Sequence, residues 1–136
     1  LLLKRGVPAH NDLPFQNFFV GKNSKVYLLD FEYAGMNMRG GMYYDFGFLF
    51  ADSLFRKPVT TREVFEQFLF SADSVYGKKF DRQQIYAAVY AVVVMQVWWA
   101  ILRYYSVQTK KEKQYFAKYA QVRATKAKDL SKSFQI

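Results

Sequence analysis

The chain has 136 residues, of which 51% are hydrophobic and 20% aromatic, enough for one buried core but not for two. It has no cysteine, which excludes disulfides and thiolate zinc sites, and its single histidine excludes a histidine-based metal site. The net charge of +9 lies mostly in residues 103–136, where we expect a solvated basic helix face rather than a nucleic-acid-binding surface.

The first predicted element in the chain is a β-hairpin. Two short apolar runs, residues 18–20 and 25–29, flank the sequence GKNS, whose glycine and asparagine are typical of a tight turn. Antiparallel pairing returns the chain to its starting side, so Asn17 and Asp30 should lie together at the open end of the hairpin. Glu32 should share the side of Asp30 if the chain stays extended.

A strongly apolar helix is predicted after the hairpin. Residues 36–41 are rich in glycine and are predicted to be irregular, and residues 42–54 have the composition of a buried helix. This helix contains Asp45. Because burial of an unpaired carboxylate is costly, we expect Asp45 to be hydrogen-bonded or ion-paired.

Three further helices are predicted in the second half of the chain. Thr60 to Glu63 forms a capping box that opens an amphipathic helix ending at Gly77. Asp81 is the predicted N-cap of a third helix, and residues 110–130 predict a final amphipathic helix.

The third helix contains 18 residues without a charge, from Ile85 to Leu102. Its length alone permits a short transmembrane helix. We instead expect a central buried helix, because it follows a soluble-looking motif and begins with a helix cap. We therefore expect neither a membrane span nor a signal peptide.

Two segments carry residues suited to chemistry: residues 10–17, HNDLPFQN, and residues 28–33, LLDFEY. The pattern H-x-D-x-x-x-x-N, followed by an apolar strand that ends in D-x-E, resembles the choline kinase and aminoglycoside phosphotransferase superfamily. The choline/ethanolamine kinase family is the closer match, because residues 29–37, LDFEYAGMN, and 44–47, YDFG, resemble its second motif. The resemblance implies an α+β, mostly helical fold: the C-terminal lobe of a protein-kinase-like fold, with a small β-hairpin that carries the catalytic and metal residues.

The resemblance also implies a role for each of these side chains. Asp12 would orient the substrate hydroxyl and accept its proton, and Asn17 and Asp30 would hold Mg²⁺. Glu32 would support the metal or an ammonium substrate. Asp45 would anchor the structure near the substrate pocket or contact the substrate directly.

Aromatic residues of the second half resemble the substrate pocket of the same family. Residues 96–101, QVWWAI, resemble the segment W-x-x-W-[SA], with Trp99 at the second tryptophan and Gln96 in place of the first. Tyr119 resembles a tyrosine of a later helix. Such rings hold quaternary ammonium groups through cation–π attraction. For Trp99 and Tyr119, a role in the core is the alternative to substrate binding. Because the first tryptophan is missing, ethanolamine or another amino alcohol is an alternative substrate to choline.

The predicted function is ATP- and Mg²⁺-dependent phosphoryl transfer to the hydroxyl of choline, ethanolamine or a related amino alcohol in the cytoplasm. Residues 1–136 are read as one domain, with the nucleotide-binding lobe and its residues outside the chain, so the isolated chain is expected to be inactive. Self-association of the chain, through the face that this lobe would otherwise cover, is left as an alternative.

Two alternative functions remain. The same machinery fits an aminoglycoside or other small-molecule hydroxyl kinase. A non-catalytic, pseudokinase-like binding module is favoured by Pro14 and Gln16, which stand where the family usually has glutamine and glycine.

Overall fold

The computed structural model describes residues 6–37, 41–56 and 62–134. It is α+β and mostly helical, as predicted. The strands are β1 (Val7–Ala9), β2 (Phe18–Val20), β3 (Val26–Leu28) and β4 (Gly35–Asn37), with a 3₁₀ turn at Phe15–Asn17 before β2. The helices are α1 (Met42–Ser53), α2 (Arg62–Tyr76), α3 (Arg82–Ser106) and α4 (Lys110–Phe134).

Strands β2 and β3 form the predicted hairpin. They pair antiparallel, with Phe18 opposite Leu28, and the turn is closed by the Gly21 N–H donating to the Lys25 carbonyl at 2.9 Å. Just beyond the ladder, the Leu29 N–H donates to the Asn17 carbonyl at 2.8 Å. The open end of the hairpin therefore holds Asn17 beside the residue that precedes Asp30, as the sequence predicts.

Strands β1 and β4 form a second antiparallel pair, in which Pro8 lies opposite Met36. The prediction that residues 36–41 are irregular is thus wrong for Met36 and Asn37, because a partner far earlier in the chain orders them. Residues 38–40 lie outside the described residues. This pair joins the two ends of the segment from His10 to Ala34, which carries the predicted catalytic residues.

The main core lies between α1 and α3 and is closed by α2 and α4. It is built from buried aliphatic and aromatic side chains of all four helices: Phe48, Phe50, Ala51, Phe65, Leu69, Ile85, Val89, Val92, Val93, Ala127 and Leu130. Helices α1 and α3 meet so closely at Gly47 that a Cβ atom there would lie 2.8 Å from the carbonyl carbon of Ala88. Glycine is therefore required sterically at this crossing.

We expect Gly47→Ala to lower the free energy of unfolding by about 1–3 kcal/mol, because the helices must separate to admit a methyl group. Gly35→Ala is the matched control: a Cβ at Gly35 meets nothing within 4 Å, so a change of about 0.5 kcal/mol or less is expected. Urea denaturation of both variants checks this. Equal losses in the two variants would contradict the close crossing.

Helix α2 extends over Arg62–Tyr76, in agreement with its predicted end at Gly77, where φ is +63°. The capping-box residues Thr60 and Thr61 lie outside the described residues. After the turn, the Asp81 carboxylate accepts hydrogen bonds from the Gln83 and Gln84 N–H groups and caps α3 as predicted.

Helix α3 is only partly the buried helix that the sequence predicts. Its inner face, with Ile85 and Val92, is fully buried, whereas Trp98, Leu102 and Tyr105 are 63%, 69% and 78% exposed on its outer face. By length and composition the helix could cross a membrane, although a core helix passes the same test. Its apolar outer face has no cover among the described residues.

Candidate active site

Asp45 anchors the predicted catalytic segment to helix α1. One carboxylate oxygen accepts the His10 N–H and the other accepts the Asn11 N–H, each at 2.8 Å. Asp45 lies in the first turn of α1, where the helix dipole favours negative charge. The expectation that this carboxylate is hydrogen-bonded is therefore confirmed, and Asp12 follows directly after the two anchored residues.

His10 ties the predicted catalytic segment to the end of the hairpin. Its side chain is buried, and Nε2 lies 2.8 Å from the Leu29 carbonyl, so the proton on this nitrogen is donated to that oxygen. The Phe31 ring packs 4.8 Å from the imidazole, between ring centroids. The H-x-D pattern predicts no role for His10, although this residue begins it.

The Asn11 side chain connects residue 11 to the turn after Asp30 and to β4. Its amide nitrogen donates to the Tyr33 carbonyl at 2.9 Å, and its oxygen accepts from the Asn37 amide at 2.9 Å. Asn11 itself adopts a φ of +64°, a conformation that asparagine tolerates better than most residues. These bonds fix the turn after Asp30 against β4.

Asp12, Asn17 and Asp30 come together at the open end of the hairpin. The Asn17 amide nitrogen donates to the Asp12 carbonyl at 3.0 Å. Burial, followed by the nearby Asp30 carboxylate, raises the pKa of Asp12, against an opposing effect of His10. The Asp30 carboxylate therefore acts electrostatically on Asp12, and the Asn17 side chain holds the backbone of Asp12.

This donor set is chemically suited to Mg²⁺. The ion prefers oxygen ligands, commonly binds through one or two carboxylates, and completes its shell with water and nucleotide phosphates. The amide nitrogen of Asn17 is used by Asp12, which leaves the amide oxygen as the donor. No set of three His, Cys, Asp or Glu side chains that could hold a metal occurs within the described residues, so the site depends on two carboxylates and an amide.

Glu32 does not share an extended strand with Asp30, so that expectation is wrong. Asp30 has a φ of +61°, and the Ala34 N–H donates to the Phe31 carbonyl at 3.0 Å, so the chain turns through Glu32. Side chains two residues apart lie on the same side only where the backbone is extended. Glu32 is exposed, and its role toward a metal or a substrate stays a prediction.

The loop between Asp12 and Asn17 accommodates both departures from the family pattern. Pro14 has φ −74° and ψ 164°, an extended conformation open to proline, and Gln16 lies inside the 3₁₀ turn, where a positive φ is not needed. The Asp52 carboxylate accepts the Phe15 N–H at 3.0 Å and so fixes this loop to α1. The loop is therefore built without the glycine.

Tyr44 lies near Asp12 and Asp45, although no role is predicted for it from the sequence. Its hydroxyl donates to the Met95 sulfur at 3.3 Å. Burial raises the pKa of Tyr44, and the negative charges of Asp12 and Asp45 act in the same direction. At neutral pH Tyr44 is thus a protonated hydrogen-bond donor near Asp12.

Trp99 and Tyr119 lie together between α3 and α4. Their ring centroids are 5.6 Å apart, and Phe116 packs edge to face on Trp99 at 5.5 Å. Trp99 is 46% exposed, whereas Tyr119 is more covered and carries the Arg123 guanidinium on its ring, 3.3 Å from the centroid. A role in substrate binding stays a prediction for both residues.

The raised pKa of Asp12 has a consequence for stability. A carboxyl group whose pKa is higher in the folded than in the unfolded state destabilises the fold above that folded pKa, and this penalty vanishes below its ordinary value of 3.8. We therefore expect Asp12→Asn to raise the melting temperature at about pH 7 and to have no effect at about pH 3. Thermal melts without divalent ions check this, and a lower melting temperature at neutral pH would contradict it.

Comparison with protein-family models, with curated proteins and with solved structures found no match for this chain. A function for this chain therefore has to be inferred from the motif resemblance and from the geometry of the described residues.

Proposed function

We propose that this chain is the C-terminal lobe of an ATP- and Mg²⁺-dependent kinase that phosphorylates the hydroxyl of a small amino alcohol, of the choline/ethanolamine kinase type. The observation that carries the proposal is the convergence of Asp12, Asn17 and Asp30. Phosphoryl transfer asks an enzyme mainly to position the nucleophile and to balance phosphate charge, and this donor set is suited to both tasks.

Asp12 is the proposed base. The substrate hydroxyl would donate its hydrogen bond to this carboxylate and pass on its proton as the new phosphate ester forms. The raised pKa makes Asp12 a better proton acceptor than an ordinary carboxylate. Asp45 and His10 would hold it in place through the backbone and the hairpin end.

Asn17 and Asp30 are the proposed ligands of Mg²⁺, which when bound offsets the negative charge of the ATP phosphates. A depression on the hairpin is lined by residues that include Phe19, Lys22 and Tyr27. The ATP-binding lobe would supply the remaining contacts to the nucleotide. Trp99 and Glu32 are the proposed contacts of the ammonium group.

A substrate panel on the full-length protein tests the proposal. Incubation with ATP and Mg²⁺, followed by ³¹P NMR, should show a phosphate ester with ethanolamine or choline and none without Mg²⁺. Transfer to aminoglycosides alone would move the assignment to the related antibiotic kinases. The absence of transfer to any alcohol, with the protein folded, would favour a non-catalytic binding module.

A further inference from the structure

Tyr44 combines a ring that the core holds in place with a hydroxyl that is only weakly bound. The residue lies in the first turn of α1, next to Asp45. Its ring packs edge to face on the buried Phe48, with 5.2 Å between the ring centroids. Its hydroxyl donates to the Met95 sulfur at 3.3 Å, in a hydrogen bond that is exposed to solvent. The position of the hydroxyl is therefore fixed by packing rather than by its partner.

The partner of this hydroxyl is easily exchanged. A thioether sulfur is a weak hydrogen-bond acceptor, whereas a phenol hydroxyl binds an oxygen acceptor well. Both oxygens of the neighbouring Asp45 carboxylate already accept backbone N–H groups, from His10 and Asn11, so the hydroxyl is not required there. Tyr44 can thus leave Met95 for an oxygen of a bound molecule at little cost.

Asp12 is the group of the candidate site that lies near this hydroxyl. Burial first, then the charge of Asp12, and then that of Asp45 raise the pKa of Tyr44, so Asp12 acts on it at least as strongly as its neighbour in sequence. Among the described residues, no side chain donates a hydrogen bond to the Asp12 carboxylate. An alcohol that donates to Asp12 still has two lone pairs on its oxygen, and one of them can accept from Tyr44.

We propose that Tyr44 is a substrate-binding residue of the proposed kinase, and that its hydroxyl leaves Met95 to donate to the hydroxyl oxygen of the amino alcohol. This inference rests on the proposed function. In the transfer, the substrate oxygen passes its proton to Asp12 and bonds to the γ-phosphorus with one lone pair, while the bridging P–O bond breaks and ADP leaves with its electron pair. The other lone pair accepts from Tyr44, which keeps its proton and orients the nucleophile.

Steady-state kinetics of the full-length protein with ATP and ethanolamine test the role of the hydroxyl. Tyr44→Phe should lower kcat/KM for ethanolamine about tenfold and leave the KM for ATP within about twofold of wild type. The variant keeps the ring on Phe48, so its melting temperature should stay within about 2 °C of wild type. Tyr105→Phe is the matched control, because Tyr105 is 78% exposed on the outer face of α3, and it should behave as wild type. A wild-type kcat/KM in Tyr44→Phe would overturn the inference.

Met95→Leu separates substrate binding from helix packing. It removes the sulfur acceptor while keeping an apolar side chain of similar volume, so kcat/KM for ethanolamine should stay within about twofold of wild type. If the hydroxyl acted only by joining α1 to α3, Met95→Leu and Tyr44→Phe would lower kcat/KM equally. Equal losses in the two variants would therefore overturn the inference.

A ligand without the hydroxyl tests the contact directly, by NMR titration of the full-length protein. Tyr44→Phe should weaken the binding of ethanolamine about fivefold and change that of ethylamine by about twofold or less, since ethylamine has no oxygen for Tyr44 to bind. In the wild-type protein, the Met95 methyl signal should shift with ethanolamine and not with ethylamine. Equal weakening of both ligands, or equal shifts of Met95 with both, would contradict the contact.

Wild-type turnover distinguishes failure of this inference from failure of the proposed function. A wild-type protein that transfers phosphate to ethanolamine, with Tyr44→Phe equally active, would refute the role of Tyr44 alone. A folded wild-type protein that transfers phosphate to no alcohol would refute the kinase function and the role of Tyr44 with it.

Discussion

Asp12→Ala is expected to lower kcat of the full-length protein by about 10²- to 10⁴-fold, because the substrate hydroxyl loses the carboxylate that orients it and accepts its proton. The KM for ATP should change little, since Asp12 is assigned to the acceptor alcohol. Steady-state kinetics with ethanolamine as acceptor, together with a thermal melt, provide the measurement.

The matched control is Asp129→Ala, which removes an exposed carboxylate from the outer side of α4. Its kcat should equal that of wild type, because no described side chain of the site contacts it. If Asp12→Ala keeps turnover within about threefold of wild type, Asp12 is not the base, and the catalytic interpretation of the segment is wrong.

Asp45→Ala is expected to lower the free energy of unfolding by about 2–4 kcal/mol, because it leaves the partly buried N–H groups of His10 and Asn11 without acceptors. The same loss should detach the predicted catalytic segment from α1, so turnover should fall as well. Urea denaturation measures the free energy of unfolding, and amide hydrogen exchange at His10 and Asn11 measures the detachment.

Asp45→Asn is the graded control, since an amide keeps one oxygen acceptor in place of two. We expect about half of the destabilisation, and faster exchange at only one of the two amides. Unchanged protection of both amides in Asp45→Ala would contradict the anchoring role and leave direct substrate contact as the remaining interpretation.

The parts of the fold that follow from local signals could be predicted. The hairpin was visible in two apolar runs around a Gly and Asn turn, and Asp81 and Gly77 marked a helix start and a helix end. A capping box at the start of α4, in which the Glu112 N–H donates to the Thr109 hydroxyl and the Thr109 N–H donates to the Glu112 carboxylate, has an equally clear pattern but was not predicted.

The parts that depend on distant contacts could not be predicted. Strand β4 exists because β1, far earlier in the chain, pairs with it, and no periodic pattern marks a three-residue strand. The predicted position of Glu32 is wrong because Asp30 has a left-handed backbone conformation, which turns the chain out of the extended form. Such a conformation is rare outside glycine and has no reliable signal in sequence.

In the candidate site, too, some contacts follow from local signals and others depend on distant packing. The hairpin alone brings Asn17 to Asp30, since antiparallel strands return to their starting side. Asp12 is placed by the Asn17 side chain and by the bonds that anchor His10 and Asn11 to Asp45. The Arg123 guanidinium on Tyr119 depends on how α3 packs on α4, which brings Gln96 to a residue 27 positions later. The spacing along either helix does not reveal that contact.

Paramagnetic broadening by Mn²⁺, as a substitute for Mg²⁺, tests most directly whether these residues share one ion. In a ¹⁵N-labelled protein, the amide signals of residues 12, 17 and 30 should broaden together at the lowest Mn²⁺ concentration, and Asp30→Asn should abolish the effect at all three. Broadening that begins at unrelated carboxylates, or that leaves residues 12 and 17 sharp while residue 30 broadens, would contradict a common metal site.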